Sequence, residues 1–224
     1  MVMRRNAMRE NLTQSILRSF GRYLAIVMII ALGASMFVGL RMTKADMVAT
    51  GQKYMDEQNM FDLRMVSNYG WSEPYVKAIA ELPGVEDAEG LVYLDLISRR
   101  EDMEEDTVYR FYSLPQRMNQ VALRSGRMPE NARECLISGF LTDDSILGKQ
   151  IYISPSNEKD ALNSLRGSSF TVVGRIASPL YMDINRGTTS VGSGSVEDFL
   201  YLPAEAFDVD YYGEIHLTLE KDVD

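Results

Sequence analysis

The chain has 224 residues, one histidine, one cysteine and a formal charge of −9. Arg4, Arg5, Arg9, Arg18 and Arg22 stand against Glu10 in the first 22 residues, a balance of +4, so the remainder carries −13 of the −9 total. An acidic body lacks the clustered Lys and Arg that replace phosphate counterions, which excludes a nucleic-acid partner. With Cys135 alone, an internal disulfide is excluded as well.

Met8, Leu12, Ile16 and Phe20 fall on one face of a helical projection, with Arg9, Glu10, Arg18 and Arg22 elsewhere. Residues 1–22 therefore suit an amphipathic segment on the inner surface of a membrane. The next eighteen residues, Tyr23 to Leu40, contain no charge. As a helix they span roughly 27 Å, close to the hydrocarbon thickness of a bilayer, and they overrun the apolar region of a cleavable signal, about 7–15 residues. Residues 23–41 are expected to be a permanent transmembrane helix, with the arginine side cytoplasmic and everything after about residue 42 extracytoplasmic. Ala31, Ser35, Gly39 and Thr43 recur every four residues, a stripe of small side chains on which another membrane helix could pack closely.

Residues 42–60 are polar, free of proline and helix-compatible, a stalk weakened at Gly51. The alternation in FDLRMVS predicts a half-buried strand. Ser72 and Pro74 open a short helix with Val76, Ile79 and Ala80 on its apolar face, and LPGV ends it at Pro83 and Gly84. GLVYLDLIS predicts one strand. SRREDMEEDTVYRFYSL predicts a hairpin with a solvated acidic tip, since its carboxylates lack metal-ligand spacing. Gly126 and Pro129 mark a turn before the strand at ECLIS, and further strands are expected at KQIYIS, SFTVVGRIA, DFLYLP and GEIHLTLE. NRGTTSVGSGSVE predicts a flexible Gly/Ser-rich loop.

Catalytic signals are weak throughout. Gly148-Lys149 precedes Gln150 rather than Ser or Thr, Asp143 stands where a phosphate loop needs its first glycine, and Gly192-Ser-Gly194 lacks a third. No cofactor or metal site is expected. His216 alternates with Ile215 and Leu217, which suggests a surface or edge position, and Cys135 in its apolar strand suggests a buried small side chain. Trp71 and Tyr69 are expected to pack into the core. Arg127 and Glu134 either pair with each other across the turn or contact another subunit.

The arginine-rich start, the single apolar helix and the stretch DLRMVSNYGWSEPYVKAIAELPGVEDAEG together resemble permease subunits of ABC transporters of the FtsX-like, MacB type. LRSGRMPENARECLIS is similar to the Gly-Arg-x-Pro turn of that family, with Gly126, Arg127, Pro129 and Glu134 on the matching positions. The resemblance implies an α+β architecture: one N-terminal transmembrane helix and a two-lobed mixed α/β extracytoplasmic domain. The membrane-proximal lobe would begin at 61–106, a β-rich lobe would be inserted at 107–205, and 206–224 would start the proximal lobe's second half, with further elements and membrane spans following in the longer protein. It also implies no enzymatic activity in this chain. An ATP-binding ABC subunit on the cytoplasmic side, other membrane helices and the lipid bilayer would be its partners, and ATP hydrolysis would belong to the separate subunit. A single-span sensor or ligand-binding ectodomain is the alternative from a different class.

Overall fold

The computed structural model describes residues 19–140 and 142–220. Most of the amphipathic segment expected at 1–22 lies outside the described residues, as do 221–224. The chain divides into two units, residues 1–53 and 54–224.

The first unit holds most of one long helix, α1 (Phe20–Glu57), which runs 38 residues without a break, including the segment from Leu40 to Lys44. At 1.5 Å per residue it is about 57 Å long, well beyond one bilayer core. It is long and apolar enough to cross a membrane, and none of its residues is buried. Leu24, Ile26, Ile29, Ile30, Leu32 and Phe37 all stand exposed. Each such side chain left in water forfeits about 1.5–3 kcal/mol relative to burial, so this surface demands an apolar surrounding.

The second unit is built on two sheets. The smaller contains β1 (Leu63–Trp71), β2 (Val85–Leu91) and β10 (Tyr212–Leu219) in the order β1-β10-β2, with both pairings antiparallel. Helix α2 (Glu73–Ala80) joins β1 to β2. Ser72 takes the N-cap position with extended backbone but makes no side-chain capping bond, and Gly84 (φ 85°) turns the chain after the helix. Val76, Ala88, Ile215 and Leu217 form the core between α2 and one sheet face, with Met65, Trp71 and Ile79 partly buried around it. Strand β1 bulges between Val66 and Trp71, where Gly70 adopts φ 78°. The bulge turns Tyr69 fully into solvent (100 % exposed), against the expectation of a core residue, while Trp71 is partly buried edge-on to Tyr75.

The larger sheet holds β3 (Tyr93–Arg100), β4 (Thr107–Ser113), β5 (Ala122–Gly126), β6 (Glu134–Ser138), β7 (Gln150–Ile153), β8 (Ser169–Ala177) and β9 (Asp198–Leu202). The order β8-β6-β9-β4-β3-β7, with β7 pairing back to β8, closes a six-stranded barrel. One edge of β8 serves two partners, residues 169–171 binding β7 and 174–177 binding β5. Side chains with inward parity (Leu96, Tyr109, Phe111, Cys135, Ile137, Phe170, Val172, Leu200 and Leu202) fill the interior. Cys135 is thus a core residue whose burial pushes its thiol well above the usual range. On the outer face, Leu136, Tyr112, Ile176, Phe199 and Tyr201 form a second cluster under the loop that follows β8.

The chain passes between sheets at Val92, so GLVYLDLIS forms two strands rather than one, and β3 lies in the barrel although the proximal lobe was expected to run to 106. Val92 and Ser113 lock this crossing: the Ser113 N–H donates to the Val92 carbonyl at 2.9 Å and the Val92 N–H to Ser113 Oγ at 3.0 Å. Leu91 and Val92 are both buried because each faces a different core, which breaks the alternation of a single strand.

Gly126 closes β5 at φ 81°, and a Cβ there would lie 2.3 Å from the Val173 carbonyl oxygen. Gly148 has a similar φ of 84° but open space around it. Gly126→Ala should therefore lose at least about 2 kcal/mol of stability, and Gly148→Ala about 1 kcal/mol from left-handed backbone alone. Thermal unfolding of the two variants, followed by circular dichroism, measures the difference; equal losses would show that the Val173 contact does not matter.

Candidate functional site

The second face of the small sheet carries Arg64, Glu214, His216, Thr218, Asp87 and Glu89, a polar set opposite the α2 side. Period-two alternation placed His216 on that face, but its expected exposure is wrong. His216 is only 1 % exposed, because the segment 114–120 leaves the barrel after β4 and lies over the face as a strap.

Three features hold the strap. The Glu89 carboxylate accepts backbone N–H groups from Gln116 (2.8 Å), Arg117 (3.1 Å) and Met118 (2.8 Å). Successive N–H groups converging on one anion form a nest, so the acid fixes the strap's curvature. Arg117 reaches the other way, donating from Nε to Asp87 at 2.7 Å and from Nη2 to the Ala88 carbonyl at 2.8 Å. Asn119 supplies the third tie from a left-handed conformation (φ 51°), which asparagine tolerates better than most residues.

Asn119 joins three chain segments. Its Oδ1 accepts the Phe61 N–H at 3.2 Å, and its backbone N–H donates to the Asn59 carbonyl at 2.9 Å. Its Nδ2 lies 2.8 Å from His216 Nδ1. Because the amide oxygen is already taken by Phe61, the NH2 group is the donor and Nδ1 accepts. The ring hydrogen then sits on Nε2 and is donated to Glu214 Oε2, 2.9 Å away. Phe61 stacks on the imidazole at 4.6 Å between centroids. Residues 58–61, the strap and the central strand β10 thus meet in one hydrogen-bonded clasp, buried at Asn119, Glu214 and His216 and open at Asn59. None of Asn119, Glu89 or Phe61 is marked by a local motif; the only sequence signal is a lone polar run, PQRMNQ, between two strands.

A cleft of about 340 Å3 lies beside the strap, lined among others by Glu73, Glu89, Arg117, Phe207 and Tyr212. The Tyr212 hydroxyl donates to Glu73 Oε2 at 2.9 Å across it, tying β10 to the start of α2.

The residues picked out in the sequence lie in two separate places. In α1, Ala31, Ser35, Gly39 and Thr43 are all exposed. Ser35 Oγ donates to the Leu32 carbonyl at 3.0 Å and Thr43 Oγ1 to the Gly39 carbonyl at 2.8 Å, so both hydroxyls are satisfied within the helix. At the barrel, Arg127 grips Glu134 through two hydrogen bonds of 2.7 and 2.6 Å, and the Glu130 N–H adds a third at 2.8 Å. Gly126 and Pro129 shape the turn that brings these two side chains together. The Arg127 guanidinium and the Glu130 N–H hold the Glu134 carboxyl down at about 2. The acidic hairpin tip is exposed, with Asp102 paired to Arg100 at 2.8 Å.

One buried ion pair was not anticipated. Arg186, 4 % exposed, lies 3.4 Å from Asp198 and is ringed by Phe140, Tyr181 and Phe199. Burial pushes the Asp198 carboxyl up to about 6, against the pull of Arg186. The pair pins the loop after β8 onto the barrel, which is why the segment NRGTTSVGSGSVE is anchored at both ends despite its composition.

The geometry defines a class of protein: a long apolar helix followed by a two-lobed α+β domain, one lobe a barrel inserted within the strands of the other. No family model matches the chain, and no curated protein matches it. Among solved structures it is similar to the extracellular domain of the noncanonic ABC-type transporter YknZ from Gram-positive bacteria, at 15 % identity over 73 % of this chain and 82 % of that one, with a TM-score of 0.43. It is similar to the periplasmic region of MacB from Actinobacillus actinomycetemcomitans, at 10 % identity over 71 % and 68 % of the two chains, TM-score 0.41. A domain of a protein described as a permease from Porphyromonas gingivalis matches at 21 % identity over 69 % and 65 %, TM-score 0.41.

Asn119→Ala removes partners from the buried His216 Nδ1 and from the half-buried Phe61 N–H, and should cost about 1–3 kcal/mol. Hydrogen exchange should quicken at the amides of residues 116–120 while the barrel strands stay protected; uniform quickening would mean the strap is no separate element.

The two shifted carboxyls have opposite signatures. Glu134, lowered to about 2, contributes stability that is complete above its ordinary value near 4.5 and is lost as pH falls toward 2. Asp198, raised to about 6, withdraws stability as pH climbs from about 4 to 6. Urea titrations across pH 2–7 should show Glu134→Gln flattening the acid limb only and Asp198→Asn flattening the upper segment only.

Proposed function

We propose that the chain is the membrane component of an ABC transporter, supplying one membrane span and an extracytoplasmic domain that responds to ATP hydrolysis in a separate cytoplasmic subunit. The observation that carries this reading is the unbroken course of α1 from Phe20 to Glu57, followed at once by the clasp residues Asn59 and Phe61. A span that merely anchors a domain has no need to continue as rigid helix for several turns beyond its charge-free run, which ends at Leu40. A helix that conveys displacement does, and it must end on groups that are themselves tied to the domain's sheets. Asn59 and Phe61 meet that requirement through Asn119, which touches the central strand and the strap that leads back into the barrel.

The arginine-rich start and the family-like turn at Gly126, Arg127, Pro129 and Glu134 support the same assignment. In this reading the N-terminus is cytoplasmic, the small residues Ala31, Ser35, Gly39 and Thr43 pack on other membrane helices, and the chain itself performs no catalysis.

Two measurements test the proposal. In a Cys135→Ala background, Tyr69→Cys should react with a membrane-impermeant maleimide added to intact cells (or spheroplasts), and Asn6→Cys only after permeabilisation. Cross-linking in native membranes should then join the N-terminal segment to a protein bearing an ATP-binding cassette. Reversed labelling would overturn the orientation, and a chain cross-linked to no such subunit would favour the single-span sensor.

A further inference from the structure

A cavity of about 300 Å3 opens on the outer face of the barrel, between β5, the β6–β8 pair and the loop after β8. Three arginines line it, Arg124, Arg175 and Arg186, and among the described residues no carboxylate does. That is a local reversal of sign in a chain of formal charge −9.

The arginines are held differently. Arg175 is fixed from behind by Asp144 at 2.6 Å, by the Gly139 carbonyl at 3.0 Å and by Thr142. Arg186 is fixed by the Asp183 carbonyl at 2.7 Å and Ser138 Oγ at 3.2 Å, and its buried Nε faces Asp198 Oδ1 at 3.4 Å. Arg124 differs again: among the described residues its guanidinium has no hydrogen bond or ion pair, so after the two pairings behind the wall one positive charge remains uncompensated there. The rest of the lining is apolar and aromatic apart from Ser138 and Ser178. Phe199 and Tyr181 stack at 4.2 Å, and Phe140 stands at the cavity 68 % exposed, a large ring with little to cover it.

We infer that this cavity binds a small organic anion, a phosphate or carboxylate head on a short apolar body. Arg124 would take the head, with the Arg175 and Arg186 guanidinium groups beside it, and Phe140 would cover the body. Arg175 and Arg186 are already fixed and need no reordering on binding, and a wall without acids spares the anion repulsion. The volume lies at the low end of ligand cavities, which limits the body to a few carbons or one ring. The site goes beyond the permease reading and stands or falls without it, since binding is measured on this chain with no ATP-binding subunit present.

The test is calorimetric titration of the full chain, in nanodiscs of zwitterionic lipid, with four probes: hexyl phosphate, hexanoate, inorganic phosphate and hexyltrimethylammonium. Hexyl phosphate or hexanoate should saturate at one per chain, inorganic phosphate should bind more weakly, and the cation should not bind. Arg124→Glu should weaken the organic anion at least tenfold, and Arg124→Lys by less. Phe140→Ala should bring hexyl phosphate down toward inorganic phosphate. Because Arg124 is exposed and tied to nothing, these variants should fold. Absence of saturation by both organic anions would overturn the proposal. So would equal binding of the cation, an unchanged Arg124→Glu, or an equal loss in Lys149→Glu, a charge change outside the cavity.

Discussion

The structure depends on β10 lying between β1 and β2. Neither edge strand can pair with the other, so the small sheet has no middle until residues 212–219 arrive, after the whole barrel has been threaded between β2 and β10. Closing a loop of that length costs entropy that grows only logarithmically, but nothing offsets it until the ends meet. The barrel must therefore return its two exits to one place. It does so through the Val92–Ser113 bonds at one exit and, at the other, through Leu114 N–H to the Leu202 carbonyl at 2.7 Å. A closed barrel is suited to this task, because closure leaves few open edges and sets where each strand begins and ends.

Burial of polar groups follows from the same arrangement. A sheet with one helix-covered face normally leaves its other face wet. Here the strap lies over that face: Glu214 and His216 are buried, Asp87 and Glu89 are half-buried, and the strap supplies hydrogen bonds to Glu89, Asp87 and His216. A network of this kind is stabilising only when every member is satisfied. The completed bonds at Asn119 meet that condition, and they tie residues 58–61, the strap and β10 to one another.

The contrast between the two pairs of opposite charge on the barrel illustrates how position decides electrostatics. Arg127 and Glu134 form good geometry at an exposed turn, where water competes and the pair mainly sets local shape. Arg186 and Asp198 are nearly inaccessible, so desolvation opposes ionisation and the aromatic rings around the guanidinium carry part of the compensation. The first is a turn device, the second a rivet through a loop.

Periodicity and composition alone determined the elements whose cause is local. The charge-free run Tyr23–Leu40, the α2 helix between Ser72 and Pro83, the hairpin around the acidic tip and most of the barrel strands could be read from side-chain pattern and turn residues, because backbone propensity and a single buried face suffice to specify them. What required the tertiary structure was everything set by a distant partner. That GLVYLDLIS divides at Val92 depends on which of two cores each residue meets, and that His216 is enclosed depends on a strap 97 residues away from it in sequence at Asn119. Alternation tells which face a strand residue occupies, but whether that face is wet depends on what long-range chain closure lays over it. Tyr69 escaped prediction for the converse reason: β1 advances five residues from Val66 to Trp71 while β10 advances two from Glu214 to Tyr212, and the hydrophobic pattern cannot register the change of parity that this bulge brings.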